Sequence, residues 1–108
     1  MNPQHKELAA GRWRELSLVE QMANVGSEVE RALKWKEKSN VDYSDKACER
    51  ALELLDLTLA CQKAPHLTEI ARVREALVDY FSGSNEFVSS EKSWRRYFLE
   101  FTYAARRR

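Results

Sequence analysis

The fold is decided by two stretches, Leu16-Ser-Leu-Val-Glu-Gln-Met-Ala-Asn-Val-Gly-Ser-Glu-Val-Glu-Arg-Ala-Leu33 and Ala47-Cys-Glu-Arg-Ala-Leu-Glu-Leu-Leu-Asp-Leu-Thr-Leu59. In both stretches apolar residues recur every three or four positions, which is the spacing of one face of an α-helix. Only three Gly and two Pro occur in 108 residues, whereas an all-β fold needs many turns. The chain is therefore predicted to be all-α.

Local signals place the ends of the first predicted helix. Ser17 and Glu20 have the spacing of a capping box, so the helix is expected to begin there and to continue to about Lys38. Gly26 interrupts this helix at a cost of about 1 kcal/mol relative to Ala. Because a missing side chain lets two backbones approach, we expect a second helix to pack closely against Gly26.

Three further helices are predicted. They span about 45–62 with Ser44 as N-cap, 66–81 with Gly83 as C-cap, and 91–106 with Ser89 or Ser90 as N-cap. Residues 1–15 show no clear period, although Trp13 is expected to pack on the first helix.

Short loops favour antiparallel neighbours. We therefore predict a single-domain antiparallel four-helix bundle over residues 16–106. An N-terminal extension at 1–15 precedes it and a basic C-terminal end at 107–108 follows it. Three helices with a docked tail form the alternative architecture.

The second predicted helix is apolar around well over half of its circumference, so it must be covered on more than one side. It is either the central helix of the monomer or part of an oligomer interface. Apolar residues of this helix and of the last helix are the candidate interface residues: Leu54, Leu57, Trp94 and Phe98.

The cysteines and the N-terminus indicate a cytoplasmic protein. Cys48 and Cys61 are thirteen residues apart in one predicted helix, or roughly 20 Å at the helical rise, which is too far for a disulfide. Both are expected to be reduced thiols. No apolar run approaches the roughly 18 residues of a membrane span, and the N-terminus lacks an apolar signal core.

The net charge of +1 is unevenly distributed. Residues 1–91 hold 12 Lys/Arg and 16 Asp/Glu, a net −4, whereas residues 92–108 hold six cations against Glu100 alone, a net +5. Trp94 and Tyr97 lie among these cations, which suits contact with phosphates and unpaired bases. The candidate nucleic-acid-binding residues are Lys92, Arg95, Arg96, Arg106, Arg107 and Arg108. Two other roles are open for these cations. They can stabilise the last helix through its dipole, or they can bind an acidic protein partner.

No motif for catalysis, cofactor binding or metal binding is present in the sequence. The two histidines, His5 and His66, form neither Glu-x-x-His nor His-Glu-x-x-His. No Gly-rich phosphate loop occurs either. The chain is therefore not expected to be an enzyme, and no cofactor, metal or small-molecule substrate is inferred.

Two partial likenesses remain. Trp35, Tyr43, Ala47, Ala51 and the leucines that follow resemble half of a tetratricopeptide repeat, but no second copy follows at a period of about 34 residues. In size and helix order the chain resembles HEPN domains, some of which are RNases. The HEPN catalytic pattern, an Arg followed four to six residues later by His, is absent.

Three stretches resemble a family of small bacterial helical proteins for which no activity is established. They are the Leu16–Ala32 stretch, Glu49-Arg-Ala-Leu-Glu-Leu-Leu-Asp-Leu-Thr58, and Tyr97-Phe-Leu-Glu-Phe-Thr-Tyr-Ala-Ala-Arg106. The resemblance covers residues 16–106. It implies a bacterial or phage-like, cytoplasmic, single-domain helical protein and assigns no site.

These observations favour a non-enzymatic helical accessory module. We expect it to bind a protein, or itself as a homo-oligomer, with a possible RNA or DNA contact through its basic C-terminal helix and no membrane contact. The alternative is a non-catalytic HEPN-like component of a nucleotidyltransferase, toxin–antitoxin or defence system.

Overall fold

A computed structural model describes the backbone of residues 6–107 and the side chains of residues 11–107. This part of the chain is all-α and has no strand. Its five helices are α1 (Lys6–Glu15), α2 (Leu18–Glu37), α3 (Val41–Cys61), α4 (His66–Ser82) and α5 (Glu91–Arg106). The all-α prediction is confirmed, but the described chain has five helices where four were expected.

Capping boxes begin α2 and α5. The Ser17 N–H donates to Glu20 Oε1 at 2.9 Å, and the Glu20 N–H donates to Ser17 Oγ at 3.2 Å. At α5 the Ser93 N–H donates to Ser90 Oγ at 3.0 Å, and the Ser90 N–H donates to Ser93 Oγ at 2.9 Å. Both starts agree with the sequence, because a cap depends only on residues three positions apart.

The start of α3 differs from the prediction. The helix begins at Val41, and its N-cap is Asn40, whose side chain accepts a hydrogen bond from the Tyr43 N–H at 3.1 Å. Ser39, with φ of 61°, reverses the chain in a short turn. Ser44 lies inside α3 and is buried, and its hydroxyl donates to the Ala32 carbonyl of α2 at 2.9 Å. Ser44 is thus a contact between two helices and not a cap.

The helix α1 lies within residues 1–15, for which the sequence predicts only an N-terminal extension because it has no clear apolar period there. Buried Trp13 attaches it to α3, since the indole N–H donates to Thr58 Oγ1 at 2.9 Å. Gln21 of α2 is also buried and donates to the Trp13 carbonyl at 2.8 Å. Trp13 therefore contacts both α2 and α3, where the sequence indicated α2 alone.

Three helices contact α3, namely α1, α2 and α4. These contacts explain why α3 is apolar around most of its circumference. They favour a central helix of the monomer over an oligomer interface, the other explanation that the sequence left open. The main core contains buried side chains from all five helices: Trp13, Met22, Val25, Val29, Leu33, Ala51, Leu55, Ile70, Val73, Leu77, Trp94 and Phe98.

The helix α2 lies between α3 and α5. Its N-terminal half meets the C-terminal end of α3, where Gln62 Nε2 donates to Gln21 Oε1 at 3.0 Å. Its close contact with α5 is at Gly26, where an ideal Cβ would lie 2.8 Å from Phe98 Cβ. The predicted close approach of a second helix to Gly26 is confirmed.

Both cysteines are free thiols. Cys48 is buried, and burial raises the pKa of its thiol to about 11.

In residues 6–107 no helix has the length and apolar character that crossing a membrane requires.

Candidate interaction surfaces

The outward side of α5 carries a row of exposed cations and apolar side chains, which we call the α5 outer face. The members within the helix follow one another at three or four positions, and such residues lie on one side of a helix. The members are Lys92, Arg96, Leu99, Tyr103, Arg106 and Arg107. All except Arg107, which is the C-cap, lie within the helix.

Two large apolar side chains of the α5 outer face are accessible to solvent. Leu99 is 49% exposed and Tyr103 is 59% exposed. They are four positions apart, with cations on both sides along the helix. A single exposed apolar residue needs no explanation, but adjacent ones among cations form a surface suited to a partner that is both apolar and acidic.

Arg95 does not belong to this outer face, although the sequence grouped it with the other cations. Its Nε donates to Glu30 Oε1 at 2.9 Å, and its Nη1 donates to Glu37 Oε2 at 3.2 Å. Both carboxylates are on α2. The guanidinium therefore joins α5 to α2, and its donors are already directed at these carboxylates.

Hydrogen bonds from Arg95 lower the pKa of Glu37. The neighbouring Glu37 carboxylate raises the pKa of Glu91, first through their hydrogen bond and then through charge repulsion. Arg95 itself stays protonated, because hydrogen bonds to Glu30 and Glu37 raise its pKa. This group of charges is a contact between helices at the N-terminal end of α5.

The candidate interface residues lie mostly inside the molecule. Trp94 is 6% exposed and Phe98 is 4% exposed, and their rings stack with centroids 6.2 Å apart. Leu54 and Leu57 are partly buried against the main core. Within residues 11–107 the Trp94 Nε1 has no hydrogen-bond acceptor, so packing alone holds this indole. Trp94 and Phe98 leave little side-chain surface for a partner.

A groove of about 500 Å³ lies between α2 and α5, beside the α5 outer face. Its floor includes Val29 and Leu33 of α2, and its rim includes Arg96 and Leu99 of α5. The groove is large enough for an apolar side chain of a partner.

Arg108 of the predicted basic set lies outside the described residues.

A second surface combines aromatic rings and cations, and we call it the α2–α3 aromatic cluster. It surrounds a depression of about 190 Å³ lined by Arg31, Trp35, Tyr43, Lys46, Ala47 and Arg50. In the sequence, Trp35 and Tyr43 stand out only as parts of half a tetratricopeptide-like repeat. The helical spacing of Arg31 with Trp35, and of Tyr43 with Lys46 and Arg50, was the signal that could have indicated this surface.

His66 is exposed at the start of α4, and no cluster of three His, Cys, Asp or Glu side chains suited to a metal occurs between residues 11 and 107. His5 lies outside the described residues.

Comparison with known proteins gives no assignment: no family model, no curated protein and no solved structure matches this chain.

Proposed function

We propose that this chain is a non-enzymatic helical accessory module that binds a protein partner through the α5 outer face. In this proposal α2–α5 form an antiparallel four-helix bundle, and α1 is docked on it through Trp13. The observation that carries the proposal is the exposure of Leu99 and Tyr103 between cations on α5.

The chemistry of the surface specifies the partner. An apolar side chain of the partner enters the groove between α2 and α5 beside Leu99, and carboxylates next to it meet Arg96 and Arg106. An amphipathic helix with an acidic border satisfies both requirements, since helices commonly bind in apolar grooves through residues three and four positions apart. The cations raise the rate of encounter, and salt lowers it.

The experiment is a tagged pull-down from the native host, followed by binding measurements with the purified partner. We expect one stoichiometric protein, and we expect Leu99→Ala and Tyr103→Ala each to weaken its binding at least tenfold, as for central interface residues. Phe87→Ala is the matched control, because Phe87 is an exposed aromatic residue in the loop before α5. Equal loss in all three variants, or loss in none, would contradict the proposal.

A second copy of the chain is the alternative protein partner, and light scattering of the purified protein tests it. A dimer that Leu99→Ala converts to a monomer makes the α5 outer face a self-association surface. A monomer at all concentrations, together with a bound host protein, makes it an adaptor surface.

Nucleic acid is the second candidate ligand of this face, favoured by the exposed Tyr103 ring between arginines. Each phosphate that the protein neutralises contributes about −0.7 to the log–log salt slope for a single strand. Replacing Arg96, Arg106 and Arg107 by Ala should therefore flatten that slope by about 2. Replacement of Arg95, which is bound by Glu30 and Glu37, should leave it nearly unchanged.

A further inference from the structure

The α2–α3 aromatic cluster places two rings side by side without stacking them. Trp35 at the end of α2 and Tyr43 at the start of α3 have ring centroids 4.8 Å apart and planes at 80°. In such an edge-to-face pair, each ring keeps at least one face free of the other ring. Tyr43 is 50% exposed, so a flat ligand can reach this pair from solvent.

Cations surround the two rings. Lys38 Nζ lies 5.2 Å from the Trp35 ring centroid, and Lys46 Nζ lies 5.9 Å from the Tyr43 ring centroid. Lysine side chains are flexible, so an ammonium group can leave a ring face for a stronger anionic partner. The rings thus offer both stacking surface and nearby positive charge.

The remaining cations of the depression are weakly engaged. Within residues 11–107, Lys46 and Arg50 form no ion pair with a carboxylate. Arg31 forms one with Glu28, at 3.4 Å and at i,i+3 spacing. Exposed pairs of this kind are weak. Three cations can therefore turn toward one anion at this position.

We infer that the α2–α3 aromatic cluster binds a nucleotide. The base stacks on the exposed ring of Tyr43 beside Trp35, and the phosphate lies among Arg31, Lys46 and Arg50. Stacking on aromatic side chains combined with contacts from cations to phosphate is how proteins hold unpaired nucleotides.

The size and composition of the depression support this ligand over others. About 190 Å³ is below the range of about 300 to 1,000 Å³ typical of sites that enclose a drug-sized ligand, so the site accommodates one stacked unit and not a whole buried cofactor. An acidic peptide would use the cations but leave the two rings without a flat partner. This site lies on the α3 side of α2 and is independent of the α5 outer face.

The ligand can come from two sources, a free nucleotide or a nucleotide within a single strand. Adenosine monophosphate and a short labelled oligoadenylate are therefore titrated separately into the full chain, by calorimetry and by fluorescence anisotropy. Equal affinity per site indicates the free nucleotide, whereas much tighter binding of the oligoadenylate indicates a strand.

Two pairs of variants test the position of the site. Tyr43→Ala should weaken binding by about 5- to 150-fold, which is the range for loss of one stacking ring. Phe87→Ala, which removes a ring of nearly equal exposure (51%), should change nothing. Arg50→Ala should weaken binding and reduce its salt dependence, whereas Arg72→Ala, an exposed arginine of α4, should not.

Two results overturn the inference. One is the absence of binding by both probes. The other is binding that Tyr43→Ala leaves unchanged, or that a polyglutamate peptide displaces as well as adenosine monophosphate does, since either shows attraction by charge alone. Circular dichroism of each variant verifies that the fold is retained. Capture of a protein through α5 does not depend on this site, so the two proposals fail separately.

Discussion

The side chain of Phe98 on α5 occupies the space where a side chain at Gly26 on α2 would begin. An ideal Cβ at position 26 would lie 2.8 Å from Phe98 Cβ and 3.0 Å from Phe98 Cγ. Since Phe98 Cβ is fixed to its own backbone, one of the two helices must move to relieve such a contact. Gly26 therefore sets the distance between α2 and α5, on which the groove beside the α5 outer face depends.

Gly26→Ala is expected to destabilise the protein. Overpacking a well-packed core costs about 1–3 kcal/mol, and the higher helix propensity of Ala returns about 1 kcal/mol. A net loss of up to about 2 kcal/mol in the free energy of unfolding follows from these two values. Urea denaturation of the variant measures it.

The matched control is Gly11→Ala in α1, where no atom of the described residues, apart from the adjoining backbone of α1, lies within 4 Å of an added Cβ. This variant keeps the gain in propensity without the clash, so it should be neutral or stabilising by up to about 1 kcal/mol. If Gly26→Ala behaved like Gly11→Ala, the helices would be further apart than the structure shows.

The hydrogen bond from the Trp13 indole to Thr58 should account for much of the attachment of α1 to α3. Thr58→Val removes the acceptor and leaves the buried indole N–H unpaired, which costs about 1–3 kcal/mol. Thr68→Val, at an exposed position of α4, is the control for the change in helix propensity and should cost only a few tenths of a kcal/mol. Hydrogen exchange in α1 should accelerate in the first variant alone.

Arg95 should make stability depend on pH. Glu37 has a lowered pKa in the folded protein, so its interaction with Arg95 stabilises the fold above the unfolded pKa of about 4.5 and is lost as the pH falls through the folded value. Arg95→Gln should therefore reduce stability at neutral pH and converge with the native protein in acid.

Arg96→Gln is the neighbouring control for Arg95→Gln, because Arg96 forms no ion pair within residues 11–107. Thermal unfolding at several pH values compares the three proteins. If the unfolding temperatures of Arg95→Gln and the native protein differed by a constant amount across the acid range, the ion pairs with α2 would contribute no stability. High salt should also reduce the difference at neutral pH.

Cys48 should react slowly with thiol reagents. Its pKa of about 11 leaves about one part in a thousand as thiolate at pH 8, and the thiolate is the reactive form. A Cys61→Ser variant isolates Cys48 for the measurement, and guanidinium chloride should release its full reactivity. Rapid labelling of Cys48 in the native state would show that the α2–α3 contact opens readily.

The raised pKa of Cys48 also fixes the direction of its effect on stability. The unfolded thiol, with a pKa near 9, loses its proton before the folded one. Its contribution is therefore present below pH 9 and is lost as the pH rises toward 11. Native Cys48 should lose stability over this interval relative to Cys48→Ala.

Local chemistry in the sequence determined the features that depend on a few neighbouring residues. The capping box at Ser17, the start of α5 at Glu91 and the need for a neighbour at Gly26 all follow from spacing, because caps and apolar stripes are properties of one helix. The all-α fold follows from the same periodicity. None of these required knowledge of which helices meet.

The tertiary structure decided what depends on contacts between distant residues. The helix α1 exists in the fold because Trp13 reaches Thr58 across 45 positions, and Ser44 is a contact between helices because the Ala32 carbonyl lies beside it. Arg95 is held by Glu30 and Glu37 of another helix, which removes it from a cationic row that looked uniform in the sequence. The sequence specifies which residues are charged or aromatic, but only the packing of the helices determines which of these side chains remain free to bind a partner.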